Sequence, residues 1–290
     1  MREILKGIID LHVHAGPSVA NREVDAAEML KEAVEAGYRG FLIKDHYFPT
    51  MMSAKLVEKH LGNDNVKVFG AIALNNSVGL FNLNALDAAY NMGAKIVYMP
   101  TVSSNQHIES HKGHSFPGSG KTKVVEKPVI YVDENGNIQE EVKEILKYIA
   151  ERPDLILGTG HGSAREVDVL ITEAVKAGVQ KILVNHPFYM IGASMEQIAK
   201  WAKMGAYIEL NACVFPPSKF GVTPFEVVKQ LLENVPIEQI VLDSDLGQKN
   251  NGSPVEGLYT FIQILMKDLG VTEEQINIMG KVTPAKLLGI

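Results

Sequence analysis

The chain's 290 residues are 46% hydrophobic and 21% charged, with 28 Lys and Arg against 34 Asp and Glu for a formal net charge of −6. This is the make-up of an ordinary soluble globular protein, and its acidic balance argues against a dedicated nucleic-acid or anionic-membrane surface, leaving a small molecule as the expected partner. The lone cysteine, Cys213, rules out an intramolecular disulfide, and no apolar run suits a signal peptide or a membrane span, so a cytoplasmic protein is expected, with a homo-oligomer as the prior.

Short β-branched runs fall near residues 8–14, 39–44, 66–73, 94–101, 155–161, 180–186, 206–211 and 239–243, with amphipathic helical patterns between them. Most intervals have the length of one βα unit, and eight such units predict a (β/α)8 TIM-type barrel filling residues 1–290 as one domain. The helices carry legible start signals. Capping-box spacing begins at Asp25, Ser163, Ser194, Thr223 and Ser253, the last two followed by proline, and Gly37, Gly178 and Gly205 stand where helices should stop. The exception to the regular spacing follows strand four. An insertion over about 102–138 contains Val129-Ile130-Tyr131-Val132-Asp133-Glu134-Asn135-Gly136-Asn137-Ile138, which reads as a β-hairpin turning at Asn135-Gly136, with a helix from about Gln139 to Glu151 behind it. Leaving strand four at its C-terminal end, it would lie over the active face of a barrel, as a lid or as surface decoration.

The chemistry concentrates at the ends of these runs. His12 and His14, at i and i+2, point to one face of a strand and can grip a single ion. Leu155-Ile156-Leu157-Gly158-Thr159-Gly160 ends in His161, Lys181-Ile182-Leu183-Val184-Asn185 ends in His186, and Gln239-Ile240-Val241-Leu242 ends in Asp243-Ser244-Asp245. Imidazoles and a carboxylate at strand exits suit a divalent ion, zinc first with manganese or iron as alternatives, in one or two copies. Such an ion with a position open to water lowers that water's pKa from 15.7 to about 7 and makes hydrolysis the default reaction. Asp243 and Asp245 share strand parity. Asp245 is preferred as ligand and proton acceptor because Leu246-Gly247 begins an irregular loop, and Asp243 is the fallback.

Phe41-Leu42-Ile43-Lys44-Asp45-His46 places Lys44 and His46 on one face at the same rim. His107, His111 and His114, at i, i+4 and i+7, would align on a helix, although their polar surroundings also suit a loop. Arg165, one turn into the helix after His161, is a candidate anion clamp, and Asn75 and Asn211 are candidate pocket residues near strand exits. His60 reads as a helix C-terminal cation. Gly118-Ser119-Gly120-Lys121-Thr122 is not a phosphate loop, since Ser115 stands where the first glycine belongs.

Taken in order, the His-x-His after strand one, the histidines after strands five and six and the Asp after strand eight resemble the signature of the amidohydrolase superfamily of metal-dependent hydrolases. Thr159-Gly160-His161 and Asn185-His186-Pro187 resemble a poorly characterised branch of it. The resemblance, which spans nearly the whole chain, implies that His12 and His14 hold one metal, that His161 and His186 bind a second or complete the first, and that Asp245 or Asp243 binds metal and handles protons. Binuclear members usually draw a carbamylated lysine or a glutamate from strand four, which here ends Tyr98-Met99-Pro100-Thr101. Lys44 is then a carbamate donor or a substrate contact, and His46 a further ligand. The expected activity is hydrolysis of an amide, lactone or ester in a small, anionic metabolite. Asp10-Leu11-His12-Val13-His14, Lys44-Asp45-His46 and Ser244-Asp245 also echo the polymerase-and-histidinol-phosphatase family of phosphoesterases, although Val68-Phe69-Gly70-Ala71-Ile72-Ala73-Leu74 lacks that family's bridging glutamate. A lyase such as a decarboxylase, or a ligand-binding barrel without turnover, is the third reading.

Overall fold

Strands β1 (Ile9–Val13), β2 (Gly40–Ile43), β3 (Lys67–Ala73), β4 (Ala94–Tyr98), β5 (Ile156–Gly158), β6 (Ile182–Val184), β7 (Tyr207–Asn211) and β8 (Ile240–Asp243) form one parallel sheet in sequential order. They are seen in a computed structural model whose described residues are 3–62, 65–113 and 123–290. The sheet returns on itself: Val13 bridges Leu246 in parallel, His14 N donates to Leu246 O at 2.8 Å, and Asp245 N donates to His12 O at 2.8 Å. The predicted TIM-type barrel is therefore the fold.

Helices alternate with the strands: α1 (Ala26–Ala36), α2 (Met51–Leu61), α3 (Leu83–Asn91), α4 (Asn105–Ser110), α5 (Glu140–Ala150), α6 (Ala164–Ala177), α7 (Met195–Lys203), α8 (Glu226–Asn234), α9 (Pro254–Leu269), α10 (Glu273–Asn277) and α11 (Thr283–Leu288). Asp25, Ser163 and Ser194 close capping boxes, Ser253 caps α9 ahead of Pro254, and Gly37 and Gly178 take the left-handed C-cap conformation. Thr223 departs from expectation. Its amide is drawn to Val214 O, and α8 starts after Phe225 instead.

Two apolar layers result. One lies between strands and helices. The other fills the barrel with Leu11, Leu42, Ala71, Ile96, Ile156 and Val241 from six strands, plugged at the bottom by Leu287 and Leu288 of α11. A regular strand would send Leu11 and His12 to opposite faces. The β1–β2 register shifts between Asp10 and Val13, and this irregular step lets both enter the interior.

The expected hairpin is reduced to a single antiparallel bridge, Val132 to Ile138, around a turn closed by Asp133 N to Asn137 O and Gly136 N to Asp133 O. The reason is that its first arm is spoken for elsewhere. Val129 pairs with Ser103 and Asn105, and the Tyr131 amide donates to Glu166 Oε1. His114 and the 118–122 segment lie outside the described residues. Among the described residues no helix is long and apolar enough to cross a membrane.

Candidate metal centre

The C-terminal ends of the strands deliver the site. His12 comes from β1 and His14 from just beyond it, Lys44 and His46 follow β2, His161 follows β5, His186 follows β6, and Asp245 follows β8; all are buried. His186 and Asp245 hold positive φ, 43° and 49°, a conformation uncommon for such residues and concentrated at functional sites.

Three of these histidines are fixed through Nδ1 to an oxygen. His12 Nδ1 donates to Glu209 Oε1 at 3.2 Å, His14 Nδ1 donates to the Lys44 carbonyl at 3.2 Å, and His46 Nδ1 lies 2.9 Å from Thr101 Oγ1. His161 Nδ1 meets His107 Nδ1 at 2.9 Å, and its Nε2 has no hydrogen-bond partner among the described residues. In His12 and His14, donation from Nδ1 to an oxygen that can only accept sets the tautomer and leaves Nε2 as the lone-pair atom. His12 and His14 aim those atoms at one point: their Nε2 atoms lie 3.1 and 3.0 Å from Asp245 Oδ1. Two ligands of a tetrahedral ion with 2.0–2.1 Å bonds stand about 3.3 Å apart, so the spacing suits a shared ion. Two sets have ligand atoms mutually within 4.8 Å: His12, His14 and Asp245, and His12, His186 and Glu209.

Burial keeps the imidazoles neutral, as ligands must be. It lowers His12 to about 3 and His186 to about 4, against the pull of Asp245, and takes His14, His46 and His161 well below the ordinary range. Lys44, fully buried, lies with Nζ 2.9 Å from His12 Nε2 and 4.7 Å above the Tyr98 ring. Desolvation lowers its pKa, partly offset by Asp245 and Glu209. Buried neutral nitrogens, an unpartnered His161 Nε2 and one convergent carboxylate together fit a divalent ion.

The structure sorts the remaining candidates. Asp243 bonds to Asn211 Nδ2 at 2.6 Å, and burial raises its pKa well above the carboxylate range, so Asp245 is the aspartate that meets the histidines. Asn211 also binds Glu209 at 3.0 Å. Asn75 uses both ends of its amide on His46 O and the Thr101 and Ser103 loop, which makes it a brace between strand exits. His107 and His111 line the cavity above the site, but Arg165 does not: it is exposed and donates to the carbonyls of Asp133 and Glu134. It therefore stands outside the cavity and clamps nothing there. His60 is exposed in the last turn of α2.

Sequence reasoning passed over Glu209. In Tyr207-Ile208-Glu209-Leu210-Asn211 a carboxylate stands mid-strand in a fully buried position, accepting from Asn185 Nδ2 at 2.8 Å as well as from His12. A charge inside an otherwise buried strand was the available signal.

A cavity lies over the site. Six histidines (14, 46, 107, 111, 161, 186) and Asp245 form its polar side, and Tyr189, Met190, Val214 and Phe220 form its apolar side.

Such a barrel, with candidate metal ligands at the C-terminal ends of its strands, is a TIM-type fold. The chain belongs to the family of unknown function DUF6282, whose model matches residues 7–209. No curated protein matches it in sequence. Among solved structures it is similar to an organophosphorus hydrolase from Deinococcus radiodurans, with a TM-score of 0.59 at 14% identity, covering 98% of this chain and 92% of that one. A probable 2-pyrone-4,6-dicarboxylic acid hydrolase from Acinetobacter baumannii, with citric acid bound, gives 0.59 at 11% identity over 98% and 100%. A 2,6-dihydroxybenzoate decarboxylase from Rhizobium gives 0.58 at 10% identity over 98% and 99%. At these identities the likeness establishes the fold.

Proposed function

We propose that the chain is a metal-dependent hydrolase of an amide, lactone or ester bond in a small, anionic molecule. The observation that carries this reading is the convergence of His12 Nε2 and His14 Nε2 on Asp245 Oδ1 at 3.1 and 3.0 Å, each imidazole tethered through Nδ1. A divalent ion, zinc in first place with manganese or iron as alternatives, would be held by His12, His14 and Asp245 with His161 and His186 beside them, and supplies Lewis acidity and a lowered pKa for the water it binds. Asp245 accepts the proton of the attacking water and passes it to the leaving group. His186 Nδ1 lies 3.3 Å from Asp245 Oδ2 and makes no hydrogen bond among the described residues, so it is placed to serve as a ligand beside that carboxylate. The apolar wall holds the substrate body against the polar side. The organophosphorus and pyrone-dicarboxylate hydrolases of the same fold support hydrolysis as the reaction class. Against a phosphoesterase of the polymerase-and-histidinol-phosphatase kind, the β3 residues facing the barrel interior are Ala71 and Ala73, which provide no carboxylate.

The test is metal content per chain, by elemental analysis of protein purified without added metal or chelator, together with hydrolysis of a lactone, amide and phosphomonoester panel. One or two ions, lost in His12→Ala, with turnover of a lactone, ester or amide is the expected result. Two ions falling to one in Lys44→Ala would make Lys44 a metal-bridging carbamate, and an unchanged count would leave it as a substrate contact. No metal after reconstitution, or release of phosphate alone, overturns the proposal.

A further inference from the structure

The segment that leaves β4 grips His161 at three points. The His161 amide donates to Pro100 O at 3.0 Å, its carbonyl accepts from Ser104 Oγ at 2.7 Å, and its ring Nδ1 lies 2.9 Å from Nδ1 of His107, about one turn beyond Ser104 in α4. Gly160 makes this approach possible: with φ at 67° it lies so close to the Met99 carbonyl that a methyl group there would overlap it. His107 is 3% exposed, and the start of α4 is tied down by Asn105 N to Val129 O at 2.8 Å, so the second imidazole is held in place.

A bond between two Nδ1 atoms needs one N–H and one lone pair. Burial keeps both rings neutral, lowering His107 to about 3 and His161 well below the ordinary range, so each ring carries one proton and the bond has two directions open to it. If His107 donates, the His161 proton sits on Nε2, a buried atom with no acceptor among the described residues. If His107 accepts, His161 Nε2 is a lone pair on a ring that lines the cavity, with the His46 and His186 centroids 5.7 and 5.1 Å from its own. The first direction strands a buried donor, whereas the second leaves a lone pair that a divalent ion would complete.

We infer that His107 is a positioning residue for the metal centre: its Nδ1 accepts the His161 Nδ1–H and so holds His161 in the tautomer that presents Nε2 to the ion. This rests on the reading of His161 as a ligand. His12 is backed by the Glu209 carboxylate and His14 by the Lys44 carbonyl, both on the barrel itself, while the partner of His161 comes from the insertion. The insertion thereby belongs to the metal centre and is more than surface decoration.

The experiment is long-range proton–nitrogen NMR of protein labelled with ¹⁵N at histidine and loaded with zinc, its resonances assigned by single substitutions, beside zinc affinity by competition with a chromogenic chelator. Expected are a proton on His161 Nδ1, zinc on His161 Nε2 and a proton on His107 Nε2. His107→Leu should weaken the zinc that is lost in His161→Ala by about 10–100-fold, and His107→Asn, whose Oδ1 accepts from nearly the same place, should restore most of that affinity. A residue that only fills space would not distinguish Asn from Leu in this way. A zinc-loaded protein with the proton on His107 Nδ1, or equal zinc affinity in His107→Leu, overturns the inference; should that variant fail to fold, the wild-type tautomers decide. Hydrolysis of the lactone, amide and phosphomonoester panel on the same samples separates the two claims. The expected tautomers in a zinc-loaded protein that turns nothing over sink the hydrolase and support His107. The opposite tautomers in an active enzyme sink His107 alone, and a protein that takes up no zinc overturns both.

Discussion

Glu209 reaches the candidate metal site through His12 rather than by facing the cavity. Its carboxylate fixes the His12 Nδ1–H while Asn185 and Asn211 hold it from behind, an arrangement that raises the basicity of the opposite ring nitrogen. Glu209→Gln keeps the shape and removes the charge, and is expected to weaken metal binding about 10–100-fold, measured by competition with a chromogenic chelator. Equal affinity in the variant would show that Glu209 only fills space. The histidines and Asp245 were legible in sequence because strand ends announce themselves. Glu209 was passed over because attention to strand exits overlooks a charge two residues inside.

At the level of elements, the insertion is stitched down by its own first arm. Tyr131 is fully buried, with its amide on Glu166 and its hydroxyl 3.3 Å from the Thr159 carbonyl. Gly162, next to His161, leaves the space that this phenol occupies: a methyl there would overlap the Tyr131 hydroxyl. Gly162→Ala should therefore cost about 1–3 kcal/mol, seen as a lower melting temperature, and should loosen the segment that carries α4 and His107. An unaltered melting temperature would mean that the ring moves aside freely. Strands were readable from β-branched runs, and four of the five predicted helix starts from their caps. The hairpin was misread because the Asn135-Gly136 signal fixes a turn but says nothing of which partners claim the arms before it.

For the whole molecule, the buried titratable groups predict a sensitivity to acid. Six histidines (12, 14, 46, 107, 161 and 186) have pKa values depressed below 6.5 by burial, so below that pH the unfolded chain binds protons that the native one refuses. Asp10, raised to about 7, and Asp243 and Glu209, also raised, bind protons in the native state and work the other way. The imidazoles outnumber the carboxyls, so stability falls as the pH drops through this range. The window opens near pH 6.5 and extends down toward the folded values of 3 to 4. Chelator-treated protein should melt at a markedly lower temperature at pH 5 than at pH 7.5, and a flat or rising profile would contradict these burials. Restoring metal at pH 7.5 should raise the melting temperature in proportion to the logarithm of free metal.

The seam where β8 meets β1 joins the first strand of the barrel to the last, and the same few residues, His12, His14, Asp245 and Leu246, supply both the closing hydrogen bonds and the convergent ligands. An ion seated there would clip together two segments separated by nearly the entire chain, where loop-closure entropy is greatest. A chain whose eighth strand has yet to dock lacks the Asp245 carboxylate, so an ion that needs this ligand would be held firmly only once the ring shuts.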